Sequence, residues 1–388
     1  MEQDCLRTFV FKAYASKRNR KLHRQIGVAA SIWNHCIALH KRYYRLFSRH
    51  LNQFQLMKHL TKLKKLPRYA FWKELGSQAV QDVVQRIDKA YLLFFKNAKA
   101  RKIENMSGRK VRPPSFRKWF KYQSFTLKQA GYSVTGNLIV IGKQQYRFFK
   151  SYEIEGKIKT LTVKRDALGD IFFVFVTDAE HQTFRAATTE IAGMDIGLKD
   201  FLVISDGTKE LAPQPLKQAL KQLAKANRTL SRKQRGSNNR RKARKNLARL
   251  HRTIANRRKD FHFKQARKLA HRYNAIAIEN LNLSGMKALW GRKVSDLGFG
   301  GFVSILEHQA SKTGCTIVKI DRWFPSSRLC SSCGKINERL MLRDREWSCD
   351  CGAIHDRDLN AAINIQRAGT SALGLGDVRS GPIPAITV

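Results

Sequence analysis

The chain has 388 residues, 43% of them hydrophobic, which is enough to build the buried cores of two or three domains. Its 75 lysines and arginines outnumber 29 aspartates and glutamates, so the formal net charge is +46. Because so positive a field concentrates polyanions, we expect nucleic acid as the partner. No sequence feature indicates an obligatory protein partner. No run of eighteen apolar residues occurs, so we expect neither membrane insertion nor export.

The N-terminal half switches between two hydrophobic periods. Arg7 to Tyr14 alternates like a single strand, and residues 19 to about 97 then follow helical spacing. A basic, aromatic link, Arg112 to Trp119, contains prolines that exclude a continuing helix. From Ser124 to Thr177, glycine-containing turns separate short apolar runs typical of strands. The simplest topology is a helical module inserted into a β-rich module.

The segment from Lys217 to Arg272 carries the strongest charge bias, with 21 lysines or arginines and one acid, Asp260. Its apolar residues recur at helical spacing on both sides of a turn at Gly236 to Asn239. This pattern predicts two basic helices. A solvated helical face is the ordinary explanation of a charge run, but such faces usually mix both signs. We therefore expect this segment to contact a phosphate backbone.

Four of the seven cysteines are clustered near the C-terminal end: Cys330 and Cys333, then fifteen residues, then Cys349 and Cys351. Two close thiolate pairs are suited to a tetrahedral zinc ion. Because four protein ligands would leave no open position, we expect a structural zinc site, in a protein of a reducing cytoplasm. His355 is a less favoured substitute ligand, and coincidental clustering of buried cysteines is the alternative.

Carboxylates stand at the ends of three predicted elements. Asp195 ends a short apolar strand that leads into a hairpin, Glu279 ends the compact strand from Ala275, and Asp356 and Asp358 start an amphipathic helix. Each has an ordinary explanation, such as a turn residue, a solvated strand end or a helix N-cap, the last proposed for Asp358. Together, however, three such acids could hold two divalent ions for phosphodiester hydrolysis.

Four motifs carry a specific resemblance. They are Gly193-Met194-Asp195-Ile196-Gly197, Ile278-Glu279-Asn280-Leu281, Phe324-Pro325-Ser326-Ser327-Arg328-Leu329-Cys330 and His355-Asp356-Arg357-Asp358-Leu359-Asn360-Ala361-Ala362. In this order they resemble the TnpB proteins, transposon-encoded relatives of the type V CRISPR effectors. The resemblance covers essentially the whole chain and is strongest between about Gly193 and Ile365.

The resemblance implies an α/β multidomain fold. A discontinuous RuvC (RNase H-like) nuclease domain carries an inserted zinc ribbon, and an N-terminal β-barrel-like wedge module carries an inserted helical recognition lobe. The implied boundaries are a wedge strand at 1–16, the recognition lobe at 17–123, the wedge β module at 124–186, the nuclease at 187–321 with a basic helical hairpin at about 213–272, the zinc ribbon at 322–355, and the nuclease's C-terminal helix and tail at 356–388. We expect the glycine-rich tail after Ala368 to be loose.

The resemblance also implies the chemistry. Asp195, Glu279 and Asp358 would be the catalytic triad of a metal-dependent endodeoxyribonuclease that uses Mg²⁺ or Mn²⁺; Asp358 is preferred to Asp356 because it lies two residues before the Asn-Ala-Ala run. A guide RNA from the transposon end would pair with double-stranded target DNA beside a short motif read by protein. The predicted nucleic-acid contacts are Arg240, Arg241, Lys242, Arg244, Lys245, Arg117, Lys118, Gln81 and Gln123. The host would be a bacterium or archaeon, with the protein on its nucleoid.

Three other functions are compatible with parts of this pattern. A guide-independent RNase H-like nuclease or resolvase needs only the triad, and the basic segment and the zinc ribbon disfavour it. A nuclease-silent, RNA-guided repressor is disfavoured because all three acids are present. A zinc-ribbon nucleic-acid-binding protein without catalysis is the third alternative.

Overall fold

A computed structural model of the chain describes residues 6–103, 111–179, 190–341 and 343–374. The chain divides into two compact units, residues 1–181 and 182–388. Among the described residues, no helix combines the length and the apolar character that crossing a membrane requires. The first five residues of the predicted wedge strand segment and the tail at 375–388 lie outside the described residues.

The first unit combines β-sheet and helices around one core. Its elements are β1 (Arg7–Lys12), α1 (Asn19–Phe47), α2 (Gln53–Leu63), a 3₁₀ helix (Pro67–Glu74), α3 (Ser77–Ile103), β2 (Ser124–Leu127), β3 (Tyr132–Thr135), β4 (Leu138–Ile141), β5 (Gln144–Arg147), β6 (Ile158–Arg165) and β7 (Ile171–Thr177). One sheet has the order β1-β7-β6-β2, and a second has the order β3-β4-β5. Because β1 pairs with β7, the three helices lie in the chain between two strands of one antiparallel sheet.

Alternating side chains explain how that sheet meets the helices. Phe9 and Phe11 on β1 are buried, whereas Val10 between them is exposed. The apolar residues at helical spacing on α1 and α3 are buried in the same cluster, with Phe94 partly buried at its edge: they are Leu22, Ile26, Ala29, Trp33 and Ile37, and Val80, Val83, Ile87 and Tyr91. Leu22 and Ile26 are fully enclosed there. The helices and the strands of the first unit therefore share one hydrophobic core.

The second unit is built on a mixed five-stranded sheet. Its elements are β8 (Ile191–Asp195), β9 (Leu202–Ile204), β10 (Lys209–Glu210), α4 (Pro215–Ser231), α5 (Asn238–Arg272), β11 (Ala275–Glu279), α6 (Leu283–Leu297), α7 (Phe299–Thr313), β12 (Thr316–Ile320), β13 (Glu346–Ser348), β14 (Ile354–Asp356) and α8 (Arg357–Ala372). The strand order is β10-β9-β8-β11-β12, in which β8, β11 and β12 run parallel. The last helix corrects one expectation: the tail predicted to loosen after Ala368 stays helical to Ala372.

Both faces of this sheet are covered. On β11, Ile276 and Ile278 belong to the core formed with α5 and α7, whereas Ala277 between them packs towards Ile365 of α8. A parallel strand buried on both faces needs a continuous apolar run, and Ala275-Ile276-Ala277-Ile278 supplies it. The sheet is thus held rigidly at the edge where β8 and β11 end.

Candidate active site

Two of the predicted acids are brought together by parallel pairing. Ala275 of β11 pairs with Ile191 of β8, and the register continues to Ile278 and Met194. The next residue on each strand is an acid, Glu279 and Asp195. Because parallel strands end at the same edge of a sheet, the two carboxyl groups lie at the carboxyl edge, where open α/β sheets usually place their ligands.

The third acid comes from α8, which packs on β8 and β11. The close approach depends on two glycines: a methyl group on Gly193 would overlap the Ala362 carbonyl, and one on Gly369 would overlap the Ala277 side chain. Gly193 is therefore required where the helix crosses the strand that carries Asp195. This packing sets the N-terminal turn of α8, with Asp358, over the sheet edge.

The Asp195 carboxyl group interacts electrostatically with both of the other acids. Burial and, after it, the negative charges of Glu279 and Asp358 raise the pKa of Asp195 to about 8. Burial also raises the pKa of Glu279, against the opposing hydrogen bond from Ser326. Acids that disfavour one another's charged forms create a site that a divalent cation would neutralise.

The structure separates Asp358 from Asp356. Asp356 is the N-cap of α8 and accepts a hydrogen bond from the Leu359 amide at 2.9 Å, so the ordinary explanation proposed for Asp358 belongs to its neighbour instead. Asp356 also pairs with Lys209 at 2.6 Å. Burial would raise the pKa of Asp356, but the hydrogen bonds from Lys209 and Leu359 outweigh it and lower the pKa. Asp356 therefore serves as the N-cap of α8.

Sequence reasoning missed two side chains that contact the acids. Ser326 donates a hydrogen bond from Oγ to Glu279. Arg345 places Nη1 3.2 and 3.1 Å from the two carboxylate oxygens of Asp358. Ser326 stands in a quoted motif and could have been singled out there, whereas nothing local distinguishes Arg345 from the many other arginines.

Two asparagines of the Asn-Ala-Ala region fix the loop that carries Ser326. Asn364 donates from Nδ2 to the Ser326 carbonyl at 2.8 Å, and Asn360 donates to the Leu329 carbonyl at 2.7 Å. Both asparagines are 1% exposed. Buried polar side chains usually carry hydrogen bonds, most often to the backbone, and these two bonds hold the loop against α8.

The four predicted cysteines form a second cluster. The Sγ atoms of Cys330, Cys333, Cys349 and Cys351 all lie within 4.8 Å of one another. Two of them follow β13 in the hairpin with β14, and the others lie on the turn after Leu329. Four mutually close sulfur donors suit zinc, which such ligands usually hold in tetrahedral coordination.

His355 lies beside this cluster, outside the mutually close set. Its Nε2 is 3.0 Å from Cys330 Sγ. Burial would raise the pKa of the Cys330 thiol, but hydrogen bonds from the Cys333 backbone and from His355 outweigh that effect and lower the pKa to about 6. The structure therefore gives His355 a hydrogen bond to a cysteine, and leaves the four sulfurs as the ligand set.

Two family models match neighbouring stretches of the chain. The family OrfB_IS605, described as "Probable transposase", matches residues 174–289, and the "Cas12f1-like, TNB domain" matches residues 299–365. A Streptomyces pristinaespiralis protein described as "Putative RNA-guided DNA endonuclease" is 33% identical over 380 residues, covering 97% of this chain and 92% of that protein. The chain belongs to the TnpB family.

Further relatives agree with this TnpB assignment. "Putative RNA-guided DNA endonuclease InsQ" of Escherichia coli (strain K12) is 25% identical over 384 residues, covering 93% of this chain and 92% of that protein. Among solved structures, a Cas12f1-sgRNA-target DNA complex aligns with a TM-score of 0.56 at 15% identity, over 90% of this chain and 83% of that chain. The mini-RNA-guided endonuclease CRISPR-Cas_phi3 aligns with a TM-score of 0.52 at 10% identity, over 94% and 92%. These structural similarities show a shared fold.

The basic segment of this TnpB-family chain forms the predicted helical pair, α4 and α5. Of the five residues named there, Arg241, Lys242, Arg244 and Lys245 are exposed. Arg240 differs, because it is half-buried and its Nη1 donates to the Leu230 and Lys233 carbonyls at 2.9 and 2.7 Å. In the structure Arg240 therefore joins the start of α5 to the end of α4.

The nucleic-acid candidates of the first unit are all exposed: Gln81 on α3, and Arg117, Lys118 and Gln123 in the link before β2. Arg117 and Gln123 line one cleft of about 380 Å³ together with Trp33 and Arg86. The Arg117 backbone exchanges two hydrogen bonds with the Asn34 side chain, at 2.8 and 2.9 Å. The link is therefore fixed to α1, and its cationic side chains face solvent.

Proposed function

We propose that this chain cleaves double-stranded DNA at the site formed by Asp195, Glu279 and Asp358, using Mg²⁺ or Mn²⁺ and directed by a guide RNA from the end of its transposable element. The observation that supports this most directly is that Asp195 and Glu279 follow paired strand residues at the carboxyl edge of the five-stranded sheet, where the charge of Asp358 also acts on Asp195. The strand order and the helix on that edge fit a RuvC (RNase H-like) nuclease domain.

When bound, divalent ions would activate a water molecule and stabilise the leaving oxygen in phosphodiester hydrolysis. The residues of this chain prepare the site for them. Asp195 and Glu279 are held by the paired strands, and Ser326 fixes the orientation of the Glu279 carboxylate. Arg345, now paired with Asp358, brings a cation that can contact a phosphate oxygen of the bound strand.

Zinc would have a separate, structural role in this scheme. Four sulfur ligands would fill its coordination shell and leave no position for substrate. We assign residues 322–355 to this zinc ribbon, within a nuclease domain at 187–321 and 356–388. In the first unit we assign 1–16 and 124–186 to the wedge module and 17–123 to the recognition lobe.

Sequence choice would come from base pairing with the guide, so the protein has to supply shape and positive charge. The net charge of +46 suits that role. In a bacterial or archaeal host, the same charge would keep the protein on the nucleoid. The exposed cations of α5 would contact phosphates of the guide RNA or the DNA. Their contribution can be isolated because Arg240 serves as an internal control.

Joint neutralisation of Arg241, Lys242, Arg244 and Lys245 should weaken RNA binding and flatten its dependence on salt. Each lost phosphate contact lowers the slope of log affinity against log salt by about 0.7–0.9. Arg240→Ala alone should instead loosen the junction of α4 and α5 and leave the slope nearly unchanged. An unaltered slope in the fourfold variant would show that this face is only solvated.

The decisive experiment begins with purification of the protein with its bound RNA and sequencing of that RNA. The guide portion is then replaced, and a duplex matching the new guide is offered with magnesium. We expect cutting to follow the new guide and to be lost in Asp195→Ala. Guide-independent cutting would favour the RNase H-like nuclease or resolvase, and guided binding without cutting by the wild type would favour the repressor.

A further inference from the structure

We propose that Trp323 is a stacking platform for an unpaired nucleobase of the DNA strand that enters the carboxylate site; this inference rests on the proposed function. Trp323 is 83% exposed, more than any other large hydrophobic side chain in the described ranges. Single exposed apolar residues are common on protein surfaces and need no explanation. The position and the rigidity of Trp323 are what distinguish it.

Trp323 lies close to the site along the chain. Ile320, the last residue of β12, pairs with Glu279, and Trp323 follows three residues later. Its Cα therefore lies within about 11 Å of the Ile320 Cα, the reach of three extended residues. Three residues beyond Trp323, Ser326 hydrogen-bonds to Glu279. The exposed ring thus belongs to a loop that is tied to Glu279 on both sides, by the pairing of Ile320 before it and by the hydrogen bond of Ser326 after it.

That loop, residues 321–328, is fixed by its own contacts. The Asp321 side chain accepts a hydrogen bond from the Trp323 amide at 2.7 Å, and the Ser326 carbonyl accepts one from Asn364 at 2.8 Å. The adjacent Phe324 packs on Ala277, Ile320 and Ile365. Phe324 therefore anchors the loop in the core, while Trp323 points into solvent without a packing role that would account for an indole there.

The chemistry around the ring suits single-stranded nucleic acid. Arg322 and Arg328, on the same loop, are exposed and positively charged. Proteins that bind single strands combine cations along the backbone with aromatic rings on which bases stack, an arrangement that tolerates any sequence. A base stacked on Trp323 would hold a strand that the acids could then cleave. The expected ligand is an unpaired base, because the faces of paired bases are covered by their neighbours in the duplex.

The test compares Trp323→Ala, Trp323→Phe and, as a matched control, Leu289→Ala, which removes another exposed apolar side chain of the second unit, 74% exposed. A single-stranded oligodeoxynucleotide containing 2-aminopurine is titrated into each protein, and guided cleavage of a duplex is timed separately. We expect Trp323→Ala to relieve the quenching of 2-aminopurine and to slow guided cleavage about tenfold or more, with guided binding retained. Trp323→Phe should keep most of both signals, and Leu289→Ala should match the wild type.

Wild-type rates and quenching in Trp323→Ala would overturn the inference, as would a loss confined to guided binding. Equal losses in Trp323→Ala and Leu289→Ala would also overturn it, by showing a general effect of exposed apolar surface. If the wild-type protein cuts no guided target, the proposed function fails, and the 2-aminopurine titration still decides whether Trp323 stacks on bases.

Discussion

The carboxylate cluster and the cysteine cluster both gather side chains that suit a metal, but the folded chain supports them differently. Asp195 and Glu279 end strands of a five-stranded sheet that packs against a large core on one face and against α8 on the other. The cysteines belong to a segment whose buried core consists of Cys330, Leu340 and Trp347 on a two-stranded hairpin. A sheet of that size can hold its acids in place without metal, whereas a small hairpin needs the metal to fold.

The largest expected effect follows from the small size of the cysteine segment. Cys330→Ser with Cys351→Ser should abolish zinc binding and unfold this segment, because zinc affinity in such modules, about 10 kcal/mol or more, is also folding free energy. Elemental analysis should find one zinc per wild-type chain, and the fluorescence of buried Trp347 should report the unfolding. Removal of magnesium serves as the control and should leave this signal unchanged. If pure, untreated protein contained no zinc, the cysteine segment would fold without metal, and the proposed difference between the cysteine and carboxylate clusters would be wrong.

The next effect concerns rate. Asp195→Ala, Glu279→Gln and Asp358→Ala should each reduce magnesium-dependent cleavage by about 10³-fold or more, with RNA and guided DNA binding nearly intact, because the acids position metal ions while affinity comes from many cationic contacts. Cleavage kinetics and gel-shift titrations measure the two properties separately.

Asp356→Ala is the matched control for Asp358→Ala. It removes a helix cap worth about 1 kcal/mol and the pair with Lys209, so cleavage should fall much less than in Asp358→Ala. Wild-type cutting by Asp358→Ala would show that the third acid lies elsewhere.

A third substitution tests the contact between the carboxylate site and the cysteine segment, and its expected effect is smaller. Arg345 precedes β13 of the cysteine segment and pairs with Asp358 of the carboxylate site. Arg345→Ala should slow cleavage about 10²-fold, a typical loss for one preorganised donor, while zinc content stays at one per chain. Arg345→Lys keeps the positive charge without the planar guanidinium, so its cleavage rate should lie between those of the wild type and Arg345→Ala. If Arg345→Ala instead loses zinc, the residue supports the fold of the cysteine segment and not the reaction.

The smallest effect concerns stability without metal. Burial and two neighbouring acids raise the pKa of Asp195, so the folded state holds that proton more tightly than the unfolded chain does. The contribution of Asp195 to stability therefore declines as the pH rises from the pKa of this group in the unfolded chain towards its folded-state pKa of about 8. At pH 7 without metal, Asp195→Asn should raise the free energy of unfolding, because the wild type must take up a proton or bury a charge at this position on folding. Magnesium should then stabilise the wild type more than the variant, and thermal denaturation with and without the ion measures both; a variant less stable than wild type without metal would contradict the argument.

The sequence was sufficient to predict the local parts of this arrangement. The apolar run of β11, the hairpin after Asp195 and the paired helices around Gly236 each follow from periodicity and turn residues within a few positions. Contacts over long separations were not predictable in this way. The pairing of Arg345 with Asp358, of Ser326 with Glu279 and of Lys209 with Asp356 depends on how distant segments pack.

The cap of α8 shows the same limit at short range. Asp356 and Asp358 both stand where an N-cap could, and only the backbone conformation of Asp356 decides between them. Arg240 is similar, because a charge run identifies it as basic but does not reveal that its guanidinium closes the junction between α4 and α5. Composition therefore predicts which surfaces are cationic, and packing decides which of those cations are free to bind.

The position of α8 has a consequence for biosynthesis. The strand that bears Asp195 pairs with β11 only after α4 and α5 have been made, and the third acid arrives with α8, the last helix of the described chain. A nascent polypeptide that stops before residue 358 therefore carries at most two of the three acids. Chain elongation therefore delays assembly of the proposed cleavage site, so translation products that end before Asp358 should not cleave DNA even where they bind it.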